Sequence, residues 1–457
     1  MSDSIPLGEL PVVVIGAGPI GLAAAAHLHA KSVPFLVLEA TDDIAGAVRA
    51  WSHVRMFTPW RYNVDAEARQ LLEAGNWEIP DPESFPTGGE LVSSYLEPLA
   101  AHPAIAPNVR VGSKVNAVTR FRLGKLEEDR EDQPFAVWIE GSAGDPILAR
   151  AVIDASGNWS TPNPAGADGR SIPGEVELGA HIRYGAPDVY GQERDRYVGR
   201  RTLVLGSGHS AFNALDALCR LRTETDSGDV YWALRREQAE LVLDSCDETL
   251  TERTLQRSEI RDWLASDQIV ALPGTRLTAL ESTDGGIRPR TGDAALPEVD
   301  EVIVATGFQP DHNLARELRL DLHHTFECAH SLAKLVNPAA NACGTVPPHG
   351  IRELAHPELD YLIVGSKSYG RAPTFLLLTG YEQVRSIVCA IVRDDAAFET
   401  GLDLPDRGLC SACTAFLESH DEAVACSCGD ESDDGECCDD DELELAGAGV
   451  NAGMVTA

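Results

Sequence analysis

Two glycine turns, built alike and 190 residues apart, constrain this chain of 457 residues more than any other feature. The first is VVVIGAGPIG, from Val12 to Gly21, and the second is VLGSGHSA, from Val204 to Ala211. Each reads as an apolar strand, a tight turn and the start of a helix. Gly16, Gly18 and Gly21 keep the GxGxxG spacing, with Pro19 opening the helix. In the second turn Gly206 and Gly208 are followed by Ala211 in the third place, which the pattern accepts, with Ser207, His209 and Ser210 between and beside them. The first glycine turns the chain sharply, the second lets a pyrophosphate reach the backbone, and the third lets helix and strand pack closely. The phosphate charge then meets free N–H groups at the helix N-terminus. One such turn binds one dinucleotide, so two turns predict two.

What ends the strand after each turn separates the two ligands. Glu39 closes PFLVLEA, 23 residues after Gly16, where a carboxylate can accept from both ribose hydroxyls. The strand VYWALRRE instead ends in Arg235 and Arg236. Paired guanidinium groups match a 2′-phosphate that a carboxylate would repel, which favours NADPH over NADH; the alternative is a solvated strand end.

The pattern between these points predicts an α/β fold with two Rossmann-like dinucleotide-binding domains, the NADP domain inserted in a discontinuous FAD domain. Apolar strands with glycine punctuation recur at ARAVIDASGNW, DEVIVATGFQP and YLIVGSKSYG, on both sides of the second unit. The expected boundaries are 1–165 and 301–395 for the FAD domain, 166–300 for the NADP domain, and 400–457 for a tail. The 37 basic and 72 acidic residues give a net charge of −35, which argues against nucleic acid and anionic membrane as partners. No apolar run approaches the roughly 20 residues of a membrane span, and MSDSIPLGEL lacks the pattern of a signal peptide, so a cytoplasmic location is expected.

With DASGNWSTPNP and VIVATGFQPD, the paired turns resemble the two-dinucleotide-domain flavoproteins, and among these the flavin-containing monooxygenases. That resemblance implies FAD on Gly16, Gly18, Pro19, Gly21, Glu39, Val115, Gly157, Gly307, Gly365 and Lys367. It implies NADPH on Gly206, Ser207, Gly208, His209, Ser210, Ala211, Arg235 and Arg236. It also implies a C4a-(hydro)peroxyflavin that oxygenates a small substrate through nitrogen, sulfur, a carbonyl or a metalloid, with dioxygen as co-substrate. The departures are as specific as the matches. The monooxygenase signature FxGxxxHxxx(Y/F/W) is only echoed, by Ile172 to Gly174, His181 and Tyr184. The family's flavin-facing asparagine has no counterpart in RMFTPW, where Phe57 and Thr58 stand. Asn63 is the candidate substitute, within the polar-aromatic cluster Trp60, Arg61, Tyr62 and Asn63 expected to line the flavin ring; a packing loop is the alternative. Lys367, Tyr369 and Arg371 fall where related flavoproteins approach the flavin's pyrimidine edge, and a cation there would favour the anionic reduced ring.

Two competing functions stay open at this stage. Six of the 11 cysteines crowd the tail as Cys410, Cys413, Cys426, Cys428, Cys437 and Cys438, among fifteen acidic residues and one arginine from Thr400 to Ala457. Such a tail should be disordered. Its thiols could still hold a thiophilic metal or metalloid, or exchange disulfides, making the protein an NADPH-driven reductase. The spacing is not that of a zinc site. No CxxC lies in either nucleotide domain, which counts against a dithiol at the flavin. A catalytically silent nucleotide-binding regulator is the remaining reading.

Overall fold

The computed structural model describes residues 6–142, 144–239, 251–338 and 346–402, so the cysteine-rich tail lies outside the described residues, as do Cys246 and Cys343. Two parallel five-stranded sheets carry the fold. The first has the order Tyr361–Ile363, Ala151–Asp154, Val12–Ile15, Phe35–Leu38, Val109–Arg110. Its strands read as unbroken apolar runs because both faces are covered, one by helices and the other by a small antiparallel sheet that includes Val118 and Phe135, and Val12 to Ile15 are all buried. Helix α1 (Pro19–Ala30) begins at the first glycine turn, and its four consecutive alanines, Ala23 to Ala26, let it lie close between this sheet and a later helix.

The second sheet has the order Val270–Leu272, Asp229–Ala233, Arg201–Leu205, Glu301–Val304, Ile182–Tyr184. Helix α2 (His209–Thr225) leaves its glycine turn, and helix α3 (Thr251–Ala265) packs beside α2. Glu301–Val304 pairs with Arg201–Leu205, Val302 opposite Leu203, so it belongs to the second domain. The expected boundary at 300 therefore falls one strand early: sequence order put VIVATG beside YLIVG, but its hydrogen bonds go to the second sheet. The chain leaves the first sheet after Asp154 and rejoins it only at Tyr361, where α4 (Leu377–Ile391) then packs against α1. The strand FAVWI lies outside both parallel sheets. Phe135–Ile139 pairs antiparallel with Val115–Arg120 and Ile147–Ala149 in a small sheet of its own. Among the described residues no helix is long and apolar enough to cross a membrane.

A buried charge cluster fastens that small sheet to the returning chain. Glu358, almost fully buried, accepts from Arg120 Nε at 2.7 Å, Arg130 Nη2 at 3.0 Å and the Arg319 backbone N–H at 3.0 Å. The Arg120 guanidinium also lies 3.7 Å over the Phe135 ring. Burial alone would raise the Glu358 pKa, but Arg120, the Arg319 N–H and Arg130 outweigh it and hold the carboxyl below its ordinary value of 4.5. A depressed carboxylate contributes its stability above the unfolded pKa and loses it as pH falls through the folded one. Glu358→Gln leaves two buried guanidinium groups uncompensated and should cost about 3 kcal/mol or more. Urea unfolding at neutral pH reads this directly, and a loss under about 1 kcal/mol would count against the cluster as a fastener.

Candidate functional site

The two glycine turns are the same device at atomic detail. Gly16 (φ +100°) donates to Leu38 O and Gly206 (φ +131°) to Ala233 O, at 2.7 and 3.1 Å. A Cβ on Gly16 would stand 2.7 Å from the Ala155 carbonyl oxygen, and one on Gly206 would stand 2.2 Å from that of Ala305. Each turn is thus wedged against the end of a neighbouring strand, DASG in one sheet and VATG in the other. At Gly21 a Cβ would meet the Gly16 carbonyl oxygen at 1.9 Å, whereas Ala211 is accommodated, fully buried, in the second turn.

The middle glycines behave differently. A Cβ on Gly18 or Gly208 meets nothing within 4 Å. Both residues are helix N-caps with no side-chain cap, and neither helix has an acidic residue in its first turn. An open approach to uncapped helical N–H groups, with no competing carboxylate, fits a pyrophosphate at each turn. Glu39 sits at the first turn as expected. One of its oxygens accepts from the Ala17 N–H at 2.7 Å, and the other from Thr41 N–H and Oγ1 at 3.0 and 2.9 Å. Val115 is a buried strand residue in the core beside it. Arg235 and Arg236 are exposed just past the strand Asp229–Ala233.

Gly157, Gly307 and Gly365 all hold left-handed backbone at φ +69°, +88° and +72°. A Cβ on Gly365 would come within 3.2 Å of Ile20 in the first turn of α1, so the GSKSY segment presses on the first dinucleotide turn. Lys367 does not supply the free cation expected there. Its ammonium is buried, donating to Asp154 Oδ2 at 2.7 Å and Ser156 Oγ at 3.1 Å, while Tyr361 OH bonds the same Asp154 oxygen at 2.8 Å. Arg371, exposed, pairs with Glu327 at 3.0 Å, and Tyr369 is buried.

A residue that sequence reasoning missed holds the same segment. Gln383, fully buried on α4, accepts from the Gly365 N–H with Oε1 at 2.9 Å. Its Nε2 is then the donor, to Ser368 Oγ at 2.9 Å and to His349 Nε2 at 2.8 Å. His349 Nε2 therefore carries no proton, and Nδ1 donates to Pro347 O at 2.8 Å. Burial drives the His349 pKa below its ordinary 6.5, against weaker opposing effects from Pro347 O, Glu353 and Glu382.

The Trp60 to Asn63 cluster is a helical turn, with Trp60 and Asn63 packed inside and Arg61 exposed. Asn63 is fully buried and spends its amide on Thr58 O at 2.7 Å, Pro59 O at 3.1 Å and Thr58 Oγ1 at 2.7 Å. Arg61 pairs with Glu83 and lies over the Tyr62 ring. Polar and aromatic residues mark a packing turn as readily as a site. The residues that echo the monooxygenase signature are tied into hydrogen bonds. Buried Glu175 accepts from Ala165 N–H, Ile172 N–H and Tyr184 OH, and His181 faces Glu301.

The cavity that links both halves lies elsewhere. It encloses about 570 Å³ and brings the stretch Trp51 to Phe57 of the first domain against the start of α2 and part of α3. Trp159, two residues past Gly157, forms part of the wall, and so do His209 and Ser210 of the second glycine turn. Phe57 and His209 rings meet at 5.2 Å across the domain boundary, and Trp159 stacks on Phe308 at 4.8 Å.

A profile described as pyridine nucleotide-disulphide oxidoreductase matches residues 13–331. An indole-3-pyruvate monooxygenase of Oryza sativa subsp. japonica is 29% identical over 211 residues, 46% of this chain and 45% of that protein. The chain thus spans about half the length of such curated relatives. Two solved structures share the fold. The bacillithiol disulfide reductase from Bacillus cereus has a TM-score of 0.61 at 18% identity, over 84% of this chain and 99% of its own. A flavin-containing monooxygenase from Stenotrophomonas maltophilia has a TM-score of 0.52 at 20% identity, over 84% and 98%.

Two measurements probe this site. Replacing Arg235 and Arg236 together by Ala should raise the NADPH Michaelis constant by about tenfold or more and leave NADH little changed, as expected for a lost charge-assisted pair. An unaltered NADPH constant would return the arginines to a solvated strand end. For His349, the unfolded chain binds a proton near pH 6.5 and the folded one resists it, so the turn that it supports loses stability as pH falls below about 6.5. Retention of FAD, followed by the fluorescence of released flavin, should weaken between pH 7 and pH 5.5, and His349→Gln should flatten that dependence.

Proposed function

Since the chain belongs to the pyridine nucleotide-disulphide oxidoreductase family, we propose that it is an FAD-dependent, NADPH-consuming monooxygenase acting on a small molecule in the cavity between its two nucleotide domains. The observation that carries this reading is the cavity wall: Trp159 joins it from the FAD-side DASG turn, while His209 and Ser210 join it from the NADPH-side turn. A substrate there lies beside both cofactors.

FAD, when bound, accepts hydride from NADPH and activates dioxygen. The chain's own groups do the rest. The N-terminus of α1 and Glu39 would hold the FAD pyrophosphate and ribose, and the N-terminus of α2 with Arg235 and Arg236 would hold NADPH. Lys367, neutralised by Asp154, and Gln383 fix the GSKSY segment against α1. Trp51, Phe57 and Trp159 wall the reacting space with apolar surface, which excludes water from a chemistry that water would divert to peroxide.

The reductase alternative draws on the six tail cysteines, which lie outside the described residues, and the nucleotide domains offer it little. The described cysteines are Cys219, Cys328 and Cys389, each buried and free, and burial pushes the Cys219 thiol up to about 12 and Cys328 up to about 11. Such thiols are poor nucleophiles. The acidic surface favours small-molecule partners over nucleic acid or membrane, and a cytoplasmic location remains part of the proposal.

Coupling decides between these functions. With labelled dioxygen and a panel of amines, thioethers, ketones and organoarsenicals, a productive substrate should suppress peroxide release and carry label. Complete conversion of oxygen to peroxide with every compound, together with NADPH-driven disulfide reduction, would replace the oxygenase assignment by the reductase one.

A further inference from the structure

A second cavity, of about 330 Å³, lies at the N-terminal end of the strand Tyr361–Ile363. Dinucleotides sit at the C-terminal ends of parallel strands, so this position is separate from both glycine turns. Ile351, Leu359, Leu362, Ala390, Ile391 and Phe398 supply its apolar wall. Leu359 and Phe398 stay more than half exposed, so apolar surface is offered at the mouth as well as inside.

One polar group on the wall lacks an acceptor. His356 is only 5% exposed and lines the cavity. Its Nδ1 accepts from the Asp321 N–H at 3.3 Å, which leaves the proton on Nε2. Burial, with His312 beside it, holds the His356 pKa down to about 4, so the ring is neutral at pH 7. No acceptor among the described residues takes the Nε2 proton, and this N–H is the hydrogen bond that the cavity offers a ligand.

The charges nearby sort the ligand. Glu358 is engaged by Arg120 and Arg130, and Asp394 by Lys31 at 2.8 Å. Asp360, Asp395 and Arg393 also line the cavity and form no ion pair among the described residues, which sets two carboxylates against one guanidinium. A carboxylate ligand meets that surplus as repulsion, and an ammonium ligand brings no acceptor for His356. A neutral carbonyl oxygen accepts the N–H without bringing a charge out of water. We propose that this cavity binds a neutral aliphatic carbonyl compound, an ester or amide with a short alkyl chain, whose oxygen accepts from His356 Nε2–H while the chain lies on Ile351, Leu362 and Ile391. The volume is at the lower end of the roughly 300–1,000 Å³ of small-molecule pockets, which suits one short chain. The site is independent of the cavity between the nucleotide domains and of the oxygenase reading. Leu362 belongs to the strand that runs into the GSKSY segment, and Ile391 closes α4, which holds that segment through Gln383. A ligand here bears from behind on the elements that fix the FAD-side turn.

The test uses the full-length, FAD-loaded protein and calorimetric titration with methyl hexanoate, hexanoate and hexylammonium. The ester should bind at least about tenfold more tightly than either ion. His356→Phe keeps a ring and removes the donor, and should weaken the ester about fivefold. Ala355→Trp, at an exposed position on the wall, places an indole over the space and should abolish ester binding while NADPH oxidation stays unchanged. Equal or tighter binding of either ion, no binding of the ester, an ester affinity that either variant leaves unaltered, or displacement of the ester by NADP⁺ would overturn the proposal.

Discussion

Lys367 and Asp154 meet 2.7 Å apart in the interior, one from each half of a domain that the chain builds in two visits. Asp154 is the last residue of the strand before the second domain is inserted, and Lys367 follows the strand that returns. Burial works against the ionised Asp154, yet Lys367, Ser156 and Tyr361 hold its pKa below the ordinary carboxylate value. A buried pair of this kind is worth little against a well-packed apolar replacement, but losing one partner strands a charge in the core. Its value is geometric: it fixes the GSKSY segment over the first dinucleotide turn, and Asn158 adds hydrogen bonds to Ser366 O and Gly370 O from the outgoing side.

The dinucleotide turns were legible because each role there demands one residue type at a fixed offset. Gly16 and Gly206 need positive φ and a bare face toward a carbonyl, and Gly18 and Gly208 need open space; the sequence displays these demands without tertiary knowledge. Helix α4 and the split of the first domain were legible for a related reason, since apolar periodicity and strand-plus-glycine punctuation are local. The boundary near residue 300 was not, because which sheet accepts Glu301–Val304 depends on hydrogen-bond partners about a hundred residues away.

The site residues divide along the same line. Trp60 to Asn63 read as an open polar-aromatic loop in sequence, because nothing local shows that Thr58 and Pro59 engage the Asn63 amide. Lys367 looked like a free cation because Asp154 lies 213 residues earlier. The cavity wall draws Phe57, Trp159 and His209 from three distant segments, and no spacing rule unites them. One signal was available for Trp159: an aromatic follows the glycine in both DASGNW and VATGF, and the structure stacks those two rings.

The interrupted first sheet also sets an order of events during synthesis. The strand Ala151–Asp154 has one neighbour, Val12–Ile15, as soon as it is made, but its other edge stays bare until Tyr361–Ile363 emerges. The intervening residues hold every strand of the second sheet, so that sheet can be completed while the first still exposes unpaired backbone. An open parallel edge of this kind invites pairing with other chains. Its exposure time scales with the length of the insertion and the speed of the ribosome. Shortening the inserted domain would narrow that window, and slowing translation before residue 361 would widen it.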